Sequence, residues 1–131
     1  MKQYTVDEHY RELALEVISE HEELQWILTS DVRIDYISSD EEKKKSDLDV
    51  LGECMKVKDV YKLYCPFDFL IILYAPNIAH LTEEKLKILL HHELLHVGID
   101  EVNGEAKYII NPHDIEDFRA IINEYGLDWA R

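Results

Sequence analysis

The run Phe67-Asp68-Phe69-Leu70-Ile71-Ile72-Leu73-Tyr74 constrains the fold of this chain more than any other stretch. It is almost continuously apolar and rich in aromatic and β-branched residues. It therefore reads as a strand buried on both faces or nearly so. Ala75-Pro76-Asn77 ends it. A strand of this kind obliges the chain to supply cover, and a leucine-rich segment follows within a few residues. Leu86, Leu90, Leu94 and Val97 form an apolar stripe at helical spacing, and Leu89 and Leu95 add a second apolar side. Thr82 reads as the cap, Glu83 and Glu84 complement the first turn, and Gly98 reads as the stop. The spacing predicts a helix from about Thr82 to Val97.

That helix carries His92-Glu93-x-x-His96, the H-E-x-x-H pattern of a zinc metallohydrolase. Residues four apart on an α-helix lie about 40° apart around the axis and roughly 6 Å along it. Two imidazoles so placed can close on one tetrahedral metal ion. Glu93 flanks that face, where a carboxylate can take the proton of a metal-activated water as general base. Histidines in a leucine-rich buried helix also need polar partners, and a metal is one. A catalytic zinc usually takes three protein ligands, and His113 is the candidate for the third. His80 is its rival, and Asp114, Glu116 or Asp117 could take its place. One of these acids, or Asp100, could instead orient a ligand imidazole. Tyr108 could stabilise an oxyanion, although a core tyrosine reads more simply. The metzincin pattern needs Gly and His where Ile99 and Val102 stand, so that group is excluded.

With 131 residues the chain has the length of one domain, residues 1–131, with a real core. Its net charge of −14 argues against direct binding to a nucleic-acid backbone. Cys54 and Cys65 form no C-x-x-C pair, which points to reduced thiols and a cytoplasmic setting. No apolar run is long enough to span a membrane, and the first residues lack a signal-peptide core.

Thr5-Val6-Asp7-Glu8 reads as a capping box opening a helix from about Val6 to His21, which Trp26-Ile27-Leu28 continues or ends. His9 and His21 fall on its solvated side. Val32 to Ser38 alternates as a half-buried strand. The charged stretch from Ser39 to Asp47 reads as a mobile loop, and Leu51 to Val57 as a short strand. Val60 to Tyr64 is ambiguous. Asn103-Gly104 predicts a type I′ hairpin. Asn111 as cap and Pro112 at the first position predict a final helix, with Ile115, Phe118, Ile121, Ile122 and Tyr125 as its apolar face. Gly126 ends that helix, and Trp129 folds back onto the core. The fold class is α+β: an N-terminal helix, a small, mostly antiparallel sheet, the motif helix, a hairpin and a C-terminal helix.

Four blocks carry a resemblance: Gly52-Glu53-Cys54, Asp68-Phe69-Leu70-Ile71-Ile72, Leu90-His91-His92-Glu93-Leu94-Leu95-His96, and His113-Asp114-Ile115-Glu116-Asp117-Phe118. In these the chain resembles the phage metallopeptidases, small zincin-like proteins of phage and prophage genomes. It is more loosely similar to SprT-like and ImmA-like minimal metallopeptidases. The resemblance implies a minimal zincin-like domain with Zn2+ at His92, His96 and His113 and with Glu93 catalytic. It implies a protein or peptide substrate in the bacterial host cytoplasm. In zincin domains an edge strand beside the cleft can pair with an extended substrate. Two other readings stay open. One is a non-catalytic, zinc-stabilised regulator that binds a host protein. The other is a metal-free interaction domain.

Overall fold

The computed structural model describes residues 2–113 and Tyr125. β1 (Tyr4–Val6) leads into α1 (Glu8–Glu20), a 3₁₀ turn (Glu22–Leu24) and the short α2 (Trp26–Thr29). β2 (Ile34–Ser39), a small hairpin of β3 (Lys44–Lys45) and β4 (Leu48–Asp49), and β5 (Gly52–Lys56) follow. A 3₁₀ segment (Asp59–Leu63) precedes β6 (Phe69–Tyr74) and the single turn α3 (Ala75–Ile78). The motif helix is α4 (Glu83–Leu95), and β7 (Val97–Val102) and β8 (Glu105–Ile110) close the described chain.

The main sheet has the order β1-β2-β6-β5. The outer pairings are antiparallel, and the central pair β2–β6 is parallel, with Ile34 opposite Phe69 and Ser39 opposite Tyr74. The architecture is thus α+β and mostly antiparallel, as expected. Phe69, Ile71 and Leu73 alternate onto one face and are fully buried. They share a core with Leu13, Ala14, Val17 and Ile18 of α1 and Leu89, Leu90 and Leu94 of α4. Both helices therefore lie over that face. Removing the side chain of Leu90, buried between them, costs about 2–5 kcal/mol.

Several boundaries differ from expectation, each for a local reason. Thr5 is not the cap of α1, because residues 4–6 pair with β2 as an edge strand. Asp7 caps instead, its carboxylate accepting from the Tyr10 N–H at 3.0 Å. Thr82 caps α4 as expected, accepting from the Lys85 N–H at 3.3 Å. Gly98 does not stop α4. The helix ends at Leu95 with His96 as its C-cap, and Gly98 already pairs with Ile109 in β7–β8. The charged stretch expected as a mobile loop folds into β3–β4, turned by Ser46 and Asp47 at positive φ. Lys43 beside it pairs with Glu53, and the buried Asn77 amide donates to the Lys43 and Val50 carbonyls, each at 2.8 Å. The ambiguous Val60 to Tyr64 stretch forms the exposed 3₁₀ segment. The β7–β8 hairpin turns at Asn103 and Gly104, both at positive φ, as a type I′ turn requires. The expected C-terminal helix, its apolar face apart from Tyr125, its end at Gly126 and the packing of Trp129 lie outside the described residues.

Candidate metal centre

α4 turns one side toward the start of β5 and toward the chain that returns from β8. His92 lies in its last turn, His96 at its C-cap, and His113 three residues beyond β8. The type I′ hairpin thus carries His113 back to the two helix histidines. One ligand atom from each ring lies within 4.8 Å of the others. The His92 and His113 Nε2 atoms stand 2.9 Å apart, and the three ring centroids are separated by 4.6–5.2 Å. Two imidazole nitrogens that face each other so closely need a proton or a cation between them. Three neutral imidazoles converging on one point are a donor set suited to a divalent metal.

Asn111 prepares this arrangement. The His96 Nδ1–H donates to the Asn111 carbonyl at 2.7 Å, which leaves Nε2 as the ligand atom. The Asn111 N–H donates to the His96 carbonyl at 2.7 Å. The Asn111 side-chain amide reaches the carbonyls of Leu95 and Val97, each at 3.3 Å, at the end of α4. Gly98 makes room for it, since a Cβ there would fall 2.5 Å from Asn111 Oδ1. The helix that Asn111 was expected to cap lies outside the described residues; the bonds described here run back to α4. No sequence pattern marks that role. In the sequence Gly52 is marked only within the Gly52-Glu53-Cys54 block, with no role of its own, and in the fold it lies on β5 beside Glu93. A Cβ at Gly52 would fall 2.8 Å from Leu73 Cδ2 and 3.4 Å from Glu93 Oε2. Glu93 is buried beside this edge strand. Burial, and then the Glu93 charge, push the Cys54 thiol well above its ordinary pKa, which keeps it an unreactive thiol.

The other candidates fall elsewhere. His80 is exposed and not part of the cluster. The Asp100 carboxylate accepts from the Glu101 N–H at 2.8 Å and orients no imidazole among the described residues. Tyr108 packs edge-on against Phe69, with centroids 5.7 Å apart, at the end of β6 away from Gly52. It is a core tyrosine. Asp114, Glu116 and Asp117 lie outside the described residues.

A second group of rings lies on the other side of α4. His91 is fully buried, and its Nε2–H donates to Glu23 Oε1 at 2.8 Å. The Tyr125 hydroxyl stands 3.3 Å from His91 Nδ1 and 3.4 Å from His21 Nε2. His21 stacks on His91 at 3.9 Å, and its Nδ1–H donates to the Val17 carbonyl at 2.7 Å. His21 is thus half-buried at the end of α1, not on a solvated side as expected. His9, exposed beside Glu83, is solvated as expected.

Comparison with known families was decisive at this point. A sequence profile described as putative phage metallopeptidase matches residues 2–131. The chain belongs to that family. No curated protein and no solved structure matched it. A metallopeptidase implies a metal and a protein or peptide substrate, and the three histidines of this phage metallopeptidase are a group able to hold the ion. Among the described residues, no helix is long and apolar enough to cross a membrane.

Proposed function

We propose that this phage metallopeptidase is a zinc-dependent peptidase, with residues 1–131 as one domain acting in the bacterial host cytoplasm. His92, His96 and His113 hold the metal, and Glu93 is the general base. The observation that carries this reading is the convergence of the three imidazoles beside a buried glutamate on an H-E-x-x-H helix. A zinc ion held there would supply a Lewis acid, polarising the scissile carbonyl and making water acidic enough to attack near neutral pH.

The chain's own groups do the rest. Glu93 takes a proton from the attacking water and passes it to the leaving amine nitrogen. Gly52 leaves room for Leu73 where β5 passes the buried Glu93, which supports a carboxylate held in place beside that strand. The Asn111 carbonyl holds His96 in the tautomer that presents Nε2.

The test joins elemental analysis with proteolysis of a denatured protein substrate. Wild type should carry one zinc per chain, and His113→Ala should lose or weaken it. Glu93→Gln should keep the zinc and lose about 10²–10⁴-fold in hydrolysis. A zinc-free wild type that cannot be reloaded would remove the reading altogether. Zinc present but Glu93→Gln unchanged in every activity would make the ion a structural one.

A further inference from the structure

Among the described residues, the longest run of exposed apolar side chains starts in β5 and continues through the 3₁₀ segment. Val60, Leu63 and Tyr64 are 72%, 81% and 87% exposed, with Tyr61 and Met55 at 57% and 47%. Exposed apolar residues scattered singly are ordinary, but five within ten positions are not. Of these, Met55 lies on the sheet face opposite α1 and α4, and Tyr61 meets it there. Met55 pairs with Leu70, which alternates with the core residues Phe69 and Ile71 and so points away from the helices. A groove of about 250 Å³ opens there, lined by Met55, Val57, Tyr61 and Leu70 together with Lys56 and Lys58.

The charge of this segment is the reverse of the whole. Between residues 55 and 65 three lysines, Lys56, Lys58 and Lys62, stand against Asp59 alone, in a chain of net charge −14. Lys62 is paired with Asp59 and Asp68. Lys56 and Lys58 are exposed and make no ion pair among the described residues. An acidic partner is repelled by much of this acidic chain and meets two unopposed lysines, Lys56 and Lys58, side by side where the apolar groove opens.

We propose that this groove docks an acidic protein segment carrying apolar anchor residues. Lys56 and Lys58 take its carboxylates, and the Met55–Leu70 groove takes an anchor side chain. The groove lies at the far end of β5 from Gly52, four residues or about 13 Å away, and its occupation does not depend on the metal reading. An anionic bilayer fits less well. Two unopposed lysines are a weak attachment to such a surface, against the repulsion of the remaining chain.

The experiment is a fluorescence-anisotropy titration of the full chain. The probe is a labelled peptide of about a dozen residues with Leu and Phe anchors between glutamates, and its control replaces every Glu by Lys. The acidic peptide should bind and the basic one should not, and raising salt from about 50 to 300 mM should weaken the binding. Met55→Ser with Tyr61→Ser should weaken it at least about tenfold, as should Lys56→Glu with Lys58→Glu. These side chains are exposed, so circular dichroism and metal content should not change. Equal binding of both peptides, or variants that bind like wild type, would overturn the proposal. So would sedimentation with phosphatidylglycerol vesicles without peptide binding, or a dimer abolished by the same substitutions without peptide binding.

Discussion

His91 and His92 are adjacent in α4, about 100° apart around its axis, and they enter two different clusters. His91 turns into the body of the molecule, where Glu23, Tyr125 and His21 surround it with donors and acceptors. His92 turns toward His96 and His113. The first group ties the end of α1 to α4 through groups that complement one another, ring N–H to carboxylate and hydroxyl to ring nitrogen. The second brings together three groups of one kind, with the His92 and His113 Nε2 atoms 2.9 Å apart. The first, ring against carboxylate and hydroxyl, ties two helices together. The second gathers three like ligand atoms within 4.8 Å of one another, a group able to hold a metal ion.

That contrast can be broken or sharpened by substitution. The largest effect is expected at His113→Ala, which should weaken zinc binding by more than about 100-fold, beyond the 10–100-fold typical of an outer partner. Competition with a chromophoric chelator would measure it, and an unchanged affinity would place the metal elsewhere. His91→Ala should do the reverse. Urea unfolding should show a loss of about 2–4 kcal/mol from the cavity and the lost hydrogen bonds. Its zinc affinity should stay within a few-fold of wild type, and a collapse of affinity would merge the two clusters into one. Gly98→Ala drives a methyl group against Asn111 and disturbs the carbonyl that orients His96. It should cost about tenfold or somewhat more in zinc affinity, with a modest drop in melting temperature. Glu23→Gln is the mildest. It keeps the shape of the contact with His91 but not its charge, at a partly exposed position. A stability loss of about 1 kcal/mol or less is expected, and a larger one would mean that His91 is held charged.

Much of this layout could be read from residue patterns, because the patterns are local. The apolar run at Phe69–Tyr74, the leucine spacing of α4 and the Asn103-Gly104 turn each set their own geometry within a few residues. The three histidines were also legible, two from one helix spacing and the third from the hairpin that returns the chain. What stayed hidden depends on contacts between distant segments. β1 forms because β2 offers a free edge, and three residues of no particular pattern take it. Asn111 has the right residue type for a helix cap, and only the hairpin's path turns its amide toward the end of α4. Gly52 stands in one of the blocks that carry the family resemblance, but what it does there shows only once Leu73 and Glu93 are set against it. His21 reads as solvated until α4 brings His91 onto it.

The parallel pairing of β2 with β6 has a consequence in time. Ile34 meets Phe69 across 35 positions of sequence, so the chain must close a long loop before that contact rewards it. β5, with Gly52, lies wholly inside the loop and, among the described residues, pairs with β6 alone, across the shorter loop from Lys56 to Phe69. The strand beside Glu93 can therefore find β6 early, but the sheet face that α4 covers is complete only after the central closure. Refolding monitored by tryptophan fluorescence and by metal uptake should show uptake no faster than formation of the sheet. A variant that weakens the β2–β6 pair should then reveal itself as a delay before the ion is captured, with little change in how tightly it is held once there.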